Sequence, residues 1–378
     1  MSFFCNLPFT EMFVHENQAQ PCCVFARTNP IPVQTYLEDA QLHLVKEQLL
    51  KGQAPIQCSS CVNSEKTSGH SFRLINEKFH ADISDKIKQI NDPKYFDIKN
   101  LTISTSNICN LKCLPCESSS YVRELEKYKL GIKKNIPILT KINNFDFIVG
   151  LDLDRITLLG GEPFYDQVSF NFLEHLVNTG QSGKLQIDLN TNMTAVTKEK
   201  LDFLTNNFKK VIIKASIDGI GIVNDYLRYP SQWSVISKNI ELVQSYPYID
   251  FFITTALSNL SLLRYYQVIE WGIKYNLNLF ISLVEFPVAM NPNLLPTEIK
   301  KQLLTKYQDL KTNLNGKTMD RAEYCIDTCI HICSDYNNND QEWKNFQGWI
   351  SKHDMLRQNS LIKIFPELID YVDSSVYN

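Results

Sequence analysis

Cys109, Cys113 and Cys116 stand in the run Ile-Cys-Asn-Leu-Lys-Cys-Leu-Pro-Cys. Three thiols with three and then two residues between them can wrap one cubane iron–sulfur cluster. Such a cluster normally takes four cysteine ligands, so a three-thiol loop leaves one iron open to an exchangeable ligand. An open metal position marks a catalytic rather than a structural site. Half of a zinc site, or simply buried thiols, are the plainer readings. Zinc ribbons prefer paired Cys-x-x-Cys knuckles, and a tight loop after a strand is a poor place for three unrelated core cysteines. The chain has eleven cysteines, and the others form two more groups: Cys5, Cys22, Cys23, Cys58 and Cys61, then Cys325, Cys329 and Cys333. In a reducing cytosol such clustering points to metal rather than to disulfides. The last group is spaced by four, which puts it on one face of a helix. It reads as a buried small-residue face, as thiols without a role, or, with His331, as a third ligand set. The seven histidines show no metal-ligand spacing among themselves.

These residues need a scaffold, and the surrounding pattern supplies one. From about Asn100 to Tyr307 short β-branched or apolar runs alternate with helical stretches. The strand candidates are Leu101–Thr105, Arg155–Leu159, Leu185–Asn190, Val211–Ser216, Phe251–Ala256 and Leu279–Val284. Amphipathic segments lie between them, at Phe170–Asn178, Lys198–Phe208, Ser234–Ser245 and Leu262–Tyr275. This alternation predicts parallel strands with crossover helices. Six units make an open, partial barrel with active residues at the C-terminal strand ends. The cysteine loop follows the first strand and Gly160-Gly161-Glu162-Pro163 follows the second. A cysteine-bearing segment and a charged helical linker precede the barrel, and a mostly helical tail follows it.

The 378 residues are enough for two to three domains. A formal charge of −3 argues against a dedicated nucleic-acid or membrane-surface protein. Met-Ser-Phe-Phe-Cys-Asn-Leu-Pro has no basic n-region or sustained apolar run, and no stretch approaches the roughly 20 apolar residues that span a bilayer. The expectation is a cytoplasmic protein with neither a membrane nor a nucleic-acid partner. No phosphate-binding glycine loop or Ser/His/Asp arrangement is evident.

Around the first cysteine loop the sequence resembles the radical S-adenosylmethionine (SAM) superfamily closely. In that family the open iron chelates the amino and carboxylate groups of SAM, and reductive cleavage releases a 5′-deoxyadenosyl radical that abstracts hydrogen from a substrate carbon. Pro115 stands where many members carry an aromatic near the adenine. Gly160, Gly161 and Glu162 resemble the motif that meets the SAM amino group, where a carboxylate suits an ammonium; an ordinary Gly-Gly turn is the plain alternative. Asn190-Thr-Asn192-Met and Ser216-Ile-Asp218-Gly resemble the ribose and carboxylate contacts, with Asn192 and Ser216 as candidates. Arg228 resembles the arginine that pairs with the SAM carboxylate in peptide-modifying members. The plain alternatives are turn residues and a solvated arginine.

Cys5-Asn-Leu-Pro-Phe, Val14-His-Glu-Asn17, Pro21-Cys22-Cys23 and Cys58-Ser-Ser-Cys61 resemble the auxiliary-cluster module of the SPASM and twitch subfamilies. Asn17 takes a glycine place, a register that selects Cys22 over Cys23 beside Cys5, Cys58 and Cys61. The module precedes the barrel, as in a twitch-domain subset that Glu65, Gly69, Ser71, Arg73, Asp354, Arg357, Pro366 and Glu367 also resemble. A zinc knuckle from the same four cysteines is the alternative. The resemblance implies an α/β fold: an auxiliary module over 1–75, a linker over 76–97, a partial (β/α)6 TIM-like barrel over 98–313 and a helical extension over 314–378. It implies two 4Fe–4S clusters, SAM and a flavodoxin- or ferredoxin-type reductant. The implied activity is that of an oxidoreductase modifying a ribosomally made peptide by oxidation, epimerisation or cross-linking. A dehydrogenase of a small metabolite is the second reading, and a non-enzymatic iron–sulfur or zinc protein the third. Cys23, Cys325, Cys329 and Cys333 are candidate hydrogen-atom donors.

Overall fold

Ile156 and Leu158 alternate with more polar neighbours, and the run Arg155–Leu159 forms a strand with every second side chain buried. A computed structural model of the protein describes residues 3–26, 31–68, 71–116, 120–314, 320–336 and 340–373. The strands are β1 (Glu11–His15), β2 (Gln18–Gln20), β3 (Ile31–Pro32), β4 (Asn100–Ser104), β5 (Arg155–Leu159), β6 (Gln186–Thr191), β7 (Lys210–Ser216), β8 (Ile249–Leu257) and β9 (Asn278–Leu283). They form one sheet in the order β3-β2-β1-β4-β5-β6-β7-β8-β9. β4 to β9 run parallel to one another, as the alternation predicts. The fold is mixed α/β with a parallel sheet.

The N-terminal segment adds strands to that same sheet. β1 pairs parallel with β4, Met12 opposite Leu101, and antiparallel with β2. The β1–β2 turn places Glu16 at φ 53° and Asn17 at φ 61°, and both central residues of a type I′ hairpin turn need positive φ.

The first helices are α1 (Leu7–Thr10), α2 (Ala40–Leu50), α3 (Ser59–Ser68), α4 (Phe72–Phe79) and α5 (Ala81–Ile90). The last two fall largely where a linker is expected. Ile87 of α5 nevertheless joins Phe4, Cys5, Leu7, Phe9, Val45 and Leu49 in a small apolar cluster separate from the main core. The amphipathic helix buries its apolar face there, because a free linker would leave it wet.

Next come α6 (Tyr121–Lys129), α7 (Gln167–Asn178), α8 (Lys198–Asn207), α9 (Ile222–Leu227), α10 (Trp233–Gln244), α11 (Asn259–Leu262) and α12 (Tyr265–Lys274). Ser120, Asp166 and Thr197 accept backbone N–H bonds at the starts of α6, α7 and α8, satisfying donors a helix start leaves open. The helical stretch expected over Leu262–Tyr275 is α12, which starts three residues later, and α11 is a separate short helix just before it. Ser258 and Ser261 form a capping box, so the shorter helix has its own start signal. The tail holds α13 (Thr297–Asn313), α14 (Asp320–Ser334), α15 (Asp340–Arg357) and α16 (Leu361–Ile364). Among the described residues no helix is long and apolar enough to cross a membrane.

His353 of α15 is fully buried. Its Nδ1 lies 2.8 Å from the Trp349 carbonyl and must carry the proton, so Nε2 accepts from Arg123 at 2.8 Å. Burial, and then the Arg123 charge, push its pKa down to about 3. The unfolded chain takes up a proton near pH 6.5 and the folded chain does not until about 3. Stability present above pH 6.5 is therefore lost as pH falls toward 3, by roughly 5 kcal/mol in all. A His353→Gln chain should keep most of that stability when urea midpoints at about pH 7 and pH 4 are compared; an acid loss equal to that of the natural chain would contradict the assignment.

Candidate functional site

Cys109, Cys113 and Cys116 lie in the loop after β4, and all three line a cavity of about 610 Å³. Gly160, Gly161 and Glu162 after β5, Asn190, Thr191 and Asn192 at the end of β6, Ser216 at the end of β7, and Arg228 just after α9 line it too. The cavity thus sits where four parallel strands end, the usual place for a ligand in such sheets. Its volume falls in the range of small-molecule sites, about 300–1,000 Å³.

The second loop is tied directly to the first. Gly161 N–H donates to the Ser106 carbonyl at 3.0 Å and Glu162 N–H to the Ile108 carbonyl at 2.8 Å. A Cβ on Gly161 would stand 1.7 Å from the Ile108 oxygen, so this glycine permits close backbone approach. Gly160 has φ 109°, a conformation side chains rarely adopt. The Glu162 carboxylate accepts from Thr191 Oγ1 at 2.7 Å, Phe164 N–H at 3.0 Å and Asn192 N–H at 2.6 Å. Burial raises its pKa to about 6, against the pull of those bonds. Both oxygens of Glu162 are engaged within the protein, so it joins the β5 and β6 loops. Asn192 Nδ2 in turn donates to Asn110 Oδ1 at 3.0 Å and lies 3.9 Å from Cys109 Sγ.

Arg228 forks onto Asp218, with Nε 2.8 Å from Oδ2 and Nη2 3.2 Å from Oδ1. Its Nη1 lies 3.9 Å from Cys113 Sγ. Asp218, fully buried, also accepts from Ala256 N–H at 2.9 Å. An Arg228→Met change strands that carboxylate, and breaking a buried pair by removing one partner costs about 3–5 kcal/mol. Urea unfolding should show that loss, with partial recovery on adding Asp218→Asn; a loss below about 1 kcal/mol would contradict it.

Cys5, Cys22, Cys58 and Cys61 line a second, small cavity of about 20 Å³ with Arg73. Glu65 accepts from Ser71 Oγ at 2.6 Å and from Arg73 at 2.9 and 2.7 Å, while Arg73 also donates to the Phe4 carbonyl beside Cys5 at 2.9 Å. Gly69 lies outside the described residues. All eleven cysteines are free. Burial raises the pKa of Cys113 and of Cys58 to about 12 and pushes Cys109, Cys5 and Cys22 higher still. Thiols held neutral in this way ionise on coordination. Among the described residues no group of three or more His, Cys, Asp or Glu gathers as for a single metal ion. A cubane offers its irons at separate corners, so it needs thiols spread around one shared space. Both donor sets are all-thiol and each lines one cavity; the first cavity has room for a cubane, whereas the second, at about 20 Å³, leaves room for little more than a water between its thiols. Asn190 adds a buried Oδ1 with no hydrogen-bond partner, free to accept from a ligand.

Cys22 and Cys23 face different cavities: Cys23 lines the large one, with Phe13, His15, Gln20 and Phe25. Of these wall residues Phe13, Gln20 and Phe25 escape a motif-based reading, since they carry no ligand chemistry and belong to none of the cysteine motifs. Asp218, which in the sequence stands only as part of the Ser216-Ile-Asp218-Gly motif, anchors Arg228. Cys325, Cys329 and Cys333 are fully buried on α14 and line neither cavity. Burial raises the pKa of all three of these thiols.

Fold and site together define an α/β protein with a thiol-lined, ligand-sized cavity at the C-terminal ends of its parallel strands. No protein-family model matches the chain. It is 28% identical to "Uncharacterized protein MJ0907" of Methanocaldococcus jannaschii over 251 residues, 60% of this chain and 78% of that protein. Among solved structures, native anSMEcpe with bound AdoMet superposes with a TM-score of 0.43 and 19% identity, over 58% of this chain and 62% of that one. SuiB of Streptococcus suis bound to S-adenosylmethionine gives 0.37 and 14%, over 82% and 68%. The chain therefore spans less than two thirds of the first of these structures.

Proposed function

We propose that the chain is a radical SAM enzyme whose sheet from β4 to β9 is a partial (β/α)6 TIM-like barrel. The observation that carries this reading is the shared cavity: Cys109, Cys113 and Cys116 face Gly160, Gly161, Glu162, Asn192, Ser216 and Arg228 across one space. The three thiolates would hold a 4Fe–4S cluster with one open iron, and the other residues would hold SAM. When bound, a reduced cluster would supply the one electron that splits SAM into methionine and a 5′-deoxyadenosyl radical for hydrogen abstraction. The chain's own part is to bind, orient and exclude water. Glu162 holds two strand-end loops in register, and Arg228, fixed by Asp218, presents its remaining nitrogen, Nη1, to Cys113. Cys5, Cys22, Cys58 and Cys61 would hold the second 4Fe–4S cluster of a SPASM/twitch-like module, with a low-potential flavodoxin- or ferredoxin-type protein as reductant. The substrate reading remains a ribosomally made peptide, because residues 1–75 resemble modules found with such enzymes; a small metabolite is the second reading.

Anaerobically reconstituted protein should bind about eight irons per chain. With dithionite and SAM it should form 5′-deoxyadenosine. Zinc in place of iron, with no SAM cleavage, would overturn the reading in favour of an interaction or electron-transfer protein.

A further inference from the structure

We propose that Arg357, the last residue of α15, is a positioning residue for the cysteine loop, so that the C-terminal extension sets where Cys113 stands; this rests on the cluster-binding reading above. The residues flanking Cys113 are each held at both backbone groups by partners outside their own loop. Lys112 N–H donates to the Tyr229 carbonyl at 2.6 Å and Leu114 N–H to the Leu227 carbonyl at 2.8 Å. The Lys112 carbonyl accepts from Arg357 Nη2 at 2.5 Å, and the Leu114 carbonyl accepts from Arg123 Nη2 at 3.3 Å.

The two arginines share one carboxylate. Arg357 donates to Glu126 Oε1 at 2.9 Å and Oε2 at 2.6 Å, and Arg123 Nη1 donates to Oε2 at 2.6 Å. Arg123 is 0% exposed, Glu126 3% and Arg357 7%. Two buried guanidiniums converge on this one carboxylate, with Asp354 the next carboxylate along α15, and the neighbouring His353 is neutral. Arg357 also lies 4.9 Å from the centre of the Tyr229 ring, so the guanidinium grips the loop and its backing segment together. The same helix holds that segment a second time: Asp354 accepts from Tyr226 Oη at 2.8 Å and from Leu361 N–H at 2.6 Å. A salt bridge that merely fastened α15 to α6 would need neither carbonyl contact.

The test compares the reconstituted natural chain with Arg357→Met and Arg357→Lys. Two readings are taken: amide hydrogen exchange across Leu111–Cys116, and the midpoint potential of the cluster whose EPR signal changes when SAM is added. Arg357→Met should exchange these amides about tenfold faster, with β5 and β6 unchanged. Its midpoint should move down, since a nearby positive charge favours the reduced cluster. Arg357→Lys keeps the charge but not the fork, so it should keep the potential and still exchange faster. If the methionine variant does not fold, the lysine variant decides by loop exchange. Loop exchange equal to that of the natural chain in a folded variant overturns the proposal. A natural chain that loads no SAM-responsive cluster instead overturns the cluster reading, and the exchange comparison still judges the clamp.

Discussion

A Cys113→Ala chain is expected to fold and to lose SAM cleavage entirely, a drop in 5′-deoxyadenosine formation of at least about a thousandfold. The fold should survive because the backbone around Cys113 is held without its thiol. Lys112 and Leu114 donate to Tyr229 and Leu227, and their carbonyls accept from arginines. Removing one sulfur from a half-buried site costs about 1 kcal/mol. The chemical effect is far larger. Two remaining thiols no longer form the tripod that retains a cubane with a single open iron. Iron analysis should fall from about eight to about four per chain, while the set formed by Cys5, Cys22, Cys58 and Cys61 keeps its own. Unchanged iron and unchanged cleavage would remove Cys113 from the site and the proposed function with it.

Gly161→Ala is expected to be the most damaging change that touches no polar side chain. The new Cβ would stand 1.7 Å from the Ile108 oxygen, 2.2 Å from its carbonyl carbon and 2.8 Å from its nitrogen. All three are backbone atoms two residues or fewer from Cys109, so no side chain can turn aside. Relief requires the β4 and β5 loops to part. That breaks the bonds from Gly161 N–H to Ser106 and from Glu162 N–H to Ile108. The cost should be about 3 kcal/mol or more, at the upper end for overpacking. Iron loading should fail alongside stability, because the loops that part are those that carry the thiols and Glu162. Gly183→Ala is the matched control, since nothing lies within 4 Å of its added Cβ; it should change stability by no more than about 0.5 kcal/mol. A Gly161→Ala chain as stable as that control would show that the two loops are not locked together as described.

Local windows of sequence carry most of the scaffold. β5 was legible to the residue, since Arg155–Leu159 alternates and is bounded by an aspartate and two glycines. The other five strands of the parallel set lie within about two residues of their expected ends, the usual uncertainty at element boundaries. α12 matches the expected Leu262–Tyr275 segment to within three residues, while the four-residue α11 before it is too short to show a helical period and is marked only by the capping box of Ser258 and Ser261. The helical segment over 76–97 looked like a linker because its charges are all that a one-dimensional reading sees. Its partner surface, Phe4 to Phe9, lies about seventy residues earlier.

Cysteine spacing, strand–helix alternation and the glycine pair after β5 were properties of the chain itself, because three-residue intervals and periods of two or 3.6 are set by neighbouring bonds. Tertiary structure decided the rest: that β1 joins β4, that Cys22 and Cys23 part company into separate cavities, and that Arg357 reaches Glu126 across 231 residues. Such contacts arise only when distant surfaces are buried together, and their strength comes from desolvation and pairing in the folded interior, which no short stretch of sequence contains.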